Sequence, residues 1–238
     1  MKVNQTRRLE WDSSFFSLEI ASIVLHHSDD MFLEQTIRNY IKKKTDLLYL
    51  FIDEGIILPD SILSNYHHHL VDKKRIYEYS RNMEVSQLNS NICEYQGDPS
   101  VLYDLAIQAG INSRFRIDPD FPNEKFEALY RAWIDKSVSK ELADKVLIYK
   151  DADKIIGLLT LQKKNDFYSI GLVATDKEYR CKGIGKALMK AAKYYAYLEN
   201  CSLSVVTQAE NRPACQFYEK EKFVKKSDTT IYHIWLNK

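Results

Sequence analysis

Apolar positions in the second half of the chain switch repeatedly between the two-residue period of a strand and the 3.6-residue period of a helix. Ile155 to Leu161 and Tyr168 to Thr175 read as strands. Ile184, Leu188, Ala191, Tyr195 and Leu198 then recur at helical spacing and predict an amphipathic helix over Gly183 to Glu199. A strand follows at Leu203 to Thr207. Asn211 is a good N-cap and Pro213 is tolerated in a first turn, so a short helix is predicted from there to about Glu221, with Phe217 and Tyr218 on its apolar face. Alternation of Ile231, His233 and Trp235 against Tyr232, Ile234 and Leu236 closes the chain with a strand. Further upstream, Pro99 to Ala109 and Glu124 to Val138 read as helices joined by the loop Gly110 to Asn123. Such long irregular loops often bind ligand.

The first part of the chain repeats this rhythm more weakly: strand Ile20 to Leu25, helix Met31 to Lys43, strand Leu47 to Ile52, helix Asp60 to Tyr66, strand Leu70 to Tyr79. It lacks any counterpart of Gly183-Ile184-Gly185. Polar residues interrupt the pattern near Leu88 to Ser90, which predicts a structural domain over 1–88 and a chemically active one over 89–238. The alternation predicts an α/β fold.

Composition narrows the function. Thirty-four Lys and Arg against thirty-three Asp and Glu leave a net charge of +1, scattered along the chain, which argues against nucleic-acid binding through bulk charge. The four cysteines form no C-x-x-C pair, so neither a zinc site nor a disulfide framework is suggested. His67, His68 and His69 are adjacent, and three consecutive side chains diverge on a helix or a strand, so no metal is expected there. With no apolar run long enough for a membrane span and a polar N-terminus, a cytoplasmic protein is expected. A homodimer is compatible with the sequence.

The most informative stretch runs strand, turn, helix, from Leu172 through Arg180-Cys181-Lys182-Gly183-Ile184-Gly185-Lys186. Two glycines at the mouth of a helix turn the backbone tightly and offer several N–H groups to an anion, for which a pyrophosphate is the natural guest. Arg180, Lys182 and Lys186 add positive charge to the helix's positive end. A Walker loop requires G-x-x-x-x-G-K-[ST], which is absent. A dinucleotide fingerprint requires a small residue where Leu188 stands and an acid near the end of the next strand, where Val205, Val206 and Thr207 stand. Cys181, beside lysines at a helix mouth, has neighbours that favour a thiolate, although an inert thiol is the simpler reading. Asn211 and Tyr218 are seven residues apart, close to two helical turns, so both can reach one ligand.

Arg180-x-x-Gly183-x-Gly185, preceded by an apolar strand and followed by an amphipathic helix, resembles the acyl-CoA signature of the GNAT acetyltransferase superfamily. The resemblance implies a GNAT fold with a mixed, splayed central sheet, preceded by a truncated GNAT-like half. It implies that Val173, Ala174 and Thr175 line acetyl-CoA with their backbone, one N–H polarising the thioester carbonyl. The same resemblance places Arg180, Cys181, Lys182, Gly183, Ile184, Gly185, Lys186 and Asn211 at the cosubstrate and makes Tyr218 the proton donor to the departing thiolate. A phenol of pKa about 10 suits a thiolate of similar basicity.

A narrower resemblance spans most of the chain. Leu9-Glu10-Trp11-Asp12-Ser13-Ser14-Phe15-Phe16, Ser113-Arg114-Phe115-Arg116, Tyr130, Trp133-Ile134 and Val206-Thr207-Gln208-x-x-Asn211 are similar to the bacterial TDP-fucosamine acetyltransferases. That family N-acetylates a dTDP-4-amino-4,6-dideoxyhexose for surface polysaccharide synthesis. The resemblance implies such a dTDP-amino sugar as acceptor, with Arg114 and Arg116 as partners for its diphosphate. Phe217 departs from the pattern, standing where a basic residue is found. Other amines, such as a protein N-terminus, a polyamine or an aminoglycoside, remain alternative acceptors, and a non-catalytic CoA-binding protein is the alternative from another class.

Overall fold

The computed structural model describes residues 2–58, 63–80 and 88–238. The chain divides into two compact units, one of Met1–Arg75 with Ser227–Lys238 and one of Ile76–Lys226. Both are mixtures of helix and sheet.

In the first unit, β1 (Gln5–Arg8) pairs antiparallel with β2 (Ile20–Leu25), and β2 runs parallel to β3 (Leu47–Asp53). β3 pairs antiparallel with Thr229–Trp235 of β10 (Val224–Trp235), and β4 (His67–Tyr79) is the next strand in the order. Leu47, Leu48, Tyr49 and Leu50 are all fully buried, the mark of a strand covered on both faces. The crossover from β2 to β3 is α2 (Asp30–Lys42), started by Asp29, whose side chain accepts from the Phe32 N–H. Its Leu33 and Ile37, one turn apart, pack into the core with Ile23, Leu25 and Leu48. α1 (Glu10–Phe16) fills the connection between β1 and β2.

The division into units differs from the expected boundary near Leu88. The C-terminal strand returns to β3, so the first unit is closed by residues from the far end of the chain. Within it, the carboxylate of Asp228, 3% exposed, takes the Arg75 guanidinium through Nε at 2.8 Å and Nη2 at 2.7 Å. The predicted helix Asp60 to Tyr66 lies partly outside the described residues. On β4, alternation brings the rings of His67 and His69 within 4.9 Å, while His68 Nδ1 bonds the Tyr66 carbonyl at 2.9 Å.

The second unit orders its strands β9-β8-β7-β6-β5, with β5 (Ile92–Glu94), β6 (Lys145–Asp151), β7 (Lys154–Lys163), β8 (Phe167–Thr175) and β9 (Ser202–Gln208). All neighbours are antiparallel except β8 and β9, which are parallel and joined through α6 (Ile184–Leu198). Before β6 come α3 (Tyr103–Ala109), the single turn α4 (Arg114–Ile117) and α5 (Asn123–Val138); α7 (Arg212–Lys220) follows β9. α4 occupies the segment predicted as irregular loop. α6 lies close on β7 because Gly157 has no side chain: a Cβ there would stand 2.8 Å from Ile184 Cγ2 and 3.0 Å from Leu188 Cδ1. No helix among the described residues is long and apolar enough to cross a membrane.

Candidate active site

β8 and β9 pair only from Phe167 with Ser202 to Ile170 with Val205, and no pairing joins Gly171–Thr175 to β9. A bulge in β8 begins at the next residue. On β7, Leu161 faces Ile170 and Leu159 faces Val173, so Thr160 alone opposes both Gly171 and Leu172. The Thr160 hydroxyl accepts the Leu172 N–H at 2.8 Å. Thr160 is 3% exposed, and an unsatisfied amide there would cost about 1–3 kcal/mol.

Past the bulge, the Asp176 N–H bonds Ile156 on the β7 side. Strand alternation then turns the N–H groups of Val173 and Thr175 the other way, towards the gap left by β9. Amides left without a strand partner and fixed in this way are suited to polarise a carbonyl.

Below the gap, the chain enters α6 through two left-handed residues, Cys181 (φ 62°) and Gly183 (φ 82°). The first intrahelical bond runs from the Ala187 N–H to the Gly183 carbonyl at 3.0 Å, so the N–H groups of Gly183–Lys186 precede the ladder and face the helix mouth. Arg180 Nε reaches the Thr175 carbonyl at 3.4 Å, tying the turn to the end of β8. Gly185 lies beside Phe217: a Cβ at that position would stand 3.6 Å from Phe217 Cζ, an ordinary van der Waals contact.

These parts line one cavity of about 590 Å³. The expected site residues Val173, Ala174, Thr175, Arg180, Cys181, Gly183, Ile184, Gly185, Lys186, Asn211 and Tyr218 all border it. Lys182 does not; its ammonium lies 4.6 Å from the ring centre of Tyr179. Asn211 caps α7, its Oδ1 accepting from the Ala214 N–H at 3.3 Å, which leaves its amide nitrogen for a ligand.

Tyr218 is 3% exposed, with its ring 5.8 Å from that of Tyr77, 5.4 Å from Phe217 and 5.7 Å from Phe223. Burial, and then the neighbouring Cys215, push its phenol well above the ordinary tyrosine value, so it is protonated through the neutral range. Among the described residues its hydroxyl has no hydrogen-bond partner. Tyr77, by contrast, donates to Glu219 at 2.6 Å.

Arg114 and Arg116 are not on the cavity wall. The Arg114 guanidinium lies 4.5 Å from the Phe115 ring centre, and exposed Arg116 lies 6.0 Å from that of Phe126. The wall on that side consists of Gln108, Ile111, Asn112, Tyr130 and Trp133. Tyr130 and Trp133 pack edge to face at 4.8 Å, and the Tyr130 ring lies so close over Gly110 that a Cβ there would stand 2.2 Å from its Cζ. Gln108 and Asn112, with Thr160 and Gly171 at the bulge, carry no sequence signal that singles them out. No carboxylate borders the cavity among the described residues, while Arg180 and Lys186 give it positive charge.

Residues 111–223 match the family described as Acetyltransferase (GNAT) family. The chain is 28% identical over 154 residues to streptothricin acetyltransferase A of Bacillus subtilis (strain 168), covering 63% of this chain and 89% of the relative. Among solved structures, a functionally unknown conserved protein of Staphylococcus epidermidis superimposes with a TM-score of 0.66 at 12% identity, over 96% of this chain and 90% of its own. A GCN5-related N-acetyltransferase from Sphaerobacter thermophilus gives 0.57 at 14% identity, over 98% and 76%. A tandem GNAT protein from the clavulanic acid biosynthesis pathway gives 0.57 at 9% identity, over 91% and 75%. At these identities the structural matches speak to the fold.

Proposed function

We propose that this chain, whose residues 111–223 match the GNAT acetyltransferase family, is an acyltransferase acting on an amine, and that its cavity works as follows. Acetyl-CoA lies with its diphosphate at the mouth of α6, against the amides of Gly183–Lys186 and the charges of Arg180 and Lys186. Its pantetheine arm enters the gap between β8 and β9, and its thioester carbonyl is polarised by an amide of Val173 or Thr175. The acceptor amine, held on the Gln108, Asn112 and Trp133 side, attacks that carbonyl directly in a ternary complex. The carbon–sulfur bond breaks, Tyr218 protonates the leaving thiolate, and the proton that the nitrogen sheds in becoming an amide passes to solvent, from which the phenol is restored. The same dry surroundings that hold the phenol proton also raise the basicity of the thiolate formed beside it, so the transfer stays matched.

The observation that carries this reading is the convergence of the strand gap, the glycine turn and Tyr218 on one cavity.

For the acceptor we retain the amino group of a nucleotide-linked amino sugar of the dTDP-4-amino-4,6-dideoxyhexose type. The resemblance at Ser113–Arg116, Tyr130 and Trp133 supports it. So does a wall that is aromatic and amide-bearing, suited to a pyranose ring, with no carboxylate among its described residues to attract a cationic amine. On this reading Arg114 and Arg116, lying off the cavity, meet the diphosphate of a substrate that extends beyond it. The Bacillus subtilis relative favours a second reading, in which the amine belongs to streptothricin or a molecule like it. CoA release measured with dTDP-amino sugars, streptothricin and a polyamine separates the two. Turnover with the sugars alone supports the first; turnover with streptothricin alone replaces it with the second.

A further inference from the structure

Thr160 belongs to β7 and does not border the cavity, yet it stands at the point where the site is made. The parallel pairing of β8 with β9 stops at Ile170, and the extra residue of β8 is inserted immediately afterwards, at Gly171 and Leu172. An inserted residue leaves a ladder amide without its usual carbonyl. Here that amide is Leu172 N–H, and its acceptor is the Thr160 hydroxyl at 2.8 Å.

Three features fix this contact. Thr160 is 3% exposed, so water does not compete for the amide. Its branched Cβ restricts the side chain to few rotamers. Gly171 provides the space, since a Cβ there would stand 2.8 Å from the same oxygen. Leu172 is followed directly by Val173, so the angle at which the bulge is held sets the direction of the Val173 N–H.

We propose that Thr160 is a positioning residue for acetyl transfer: by holding the Leu172 amide it aims the Val173 N–H at the thioester carbonyl. The proposal rests on the reading that this gap receives the thioester. It predicts separate effects on turnover and binding, because the grip on the diphosphate is at α6 and does not depend on the bulge.

The test uses the full chain with Thr160→Val, which keeps the shape and removes the acceptor, and Thr160→Ser, which keeps the acceptor. Loss of an aimed donor lowers turnover by about 100-fold. Thr160→Val is expected to show that loss with acetyl-CoA affinity within about threefold of the wild type, and Thr160→Ser to recover turnover to within about fivefold of it. Wild-type turnover in Thr160→Val, or equal losses in both variants, overturns the proposal. Should Thr160→Val not fold, Thr160→Ser paired with Gly171→Ala decides: turnover kept in the first and lost in the second supports the role, and any other pattern overturns it. Failure of the wild type itself to bind acetyl-CoA sinks the underlying reading instead, which the same titration shows.

Discussion

Replacing Tyr218 by Phe removes one oxygen and leaves the packing. The ring contacts with Tyr77, Phe217 and Phe223 at 5.8, 5.4 and 5.7 Å are those of a phenyl group and survive the change. The hydroxyl has no hydrogen-bond partner among the described residues, so its loss strands no such group, and stability should move by less than about 1 kcal/mol. The chemistry should move far more. A positioned proton donor contributes about 10²- to 10⁴-fold, so Tyr218→Phe should lower kcat by that factor, about 3 to 5 kcal/mol of barrier. Release of CoA followed with a chromogenic disulfide reads kcat, and calorimetry reads acetyl-CoA affinity, which should stay within about threefold because the proposed diphosphate site lies elsewhere. Because burial raises the phenol's pKa, ionisation of Tyr218 should remove no wild-type activity below about pH 10. A variant that turns over within about threefold of the wild type refutes the role.

Three further outcomes follow from the same geometry. Gly157→Ala places a Cβ 2.8 Å from Ile184 Cγ2 and should destabilise the protein by about 1–3 kcal/mol, read as a lower urea midpoint, with weaker acetyl-CoA binding because α6 must shift. Gly183→Ala meets no atom within 4 Å but forces a side chain to a φ of 82°, a strain of about 1–2 kcal/mol, so its acetyl-CoA Kd should rise about tenfold; an unchanged Kd would remove this turn from the binding site. Tyr168 has its pKa raised by burial and by its hydrogen bond to Glu199 at 2.5 Å, so the folded state holds that proton more tightly than the unfolded chain. The associated stability is complete below about pH 10 and lost as pH rises above it; thermal melts from pH 8 to 11 should show this decline, and Tyr168→Phe should flatten it.

What the sequence disclosed was local. The turn at Gly183 and Gly185, the periodicity of α6 and the Asn211 cap each depend on residues within a few positions, and each is present as expected. What it hid was set at a distance. The bulge in β8 depends on Thr160, twelve residues upstream, and nothing around Leu172 announces it. The return of β10 to β3 joins residues from the two ends of the chain, so local alternation predicted the strand and not its partner. β6 was not anticipated because Val146, Leu147 and Ile148 are buried in succession, a run whose period does not separate strand from helix. α4 spans only Arg114–Ile117, too short for any helical repeat, and neither Arg114 nor Arg116 borders the cavity.

The position of acetyl-CoA decides the proposed mechanism. A crystal structure of the complex should show its diphosphate bonded to the amides of Gly183–Lys186 and its thioester oxygen at the Val173 or Thr175 N–H, with sulfur beside the Tyr218 hydroxyl. A complex with the cosubstrate bound anywhere else, or with sulfur remote from Tyr218, would contradict it.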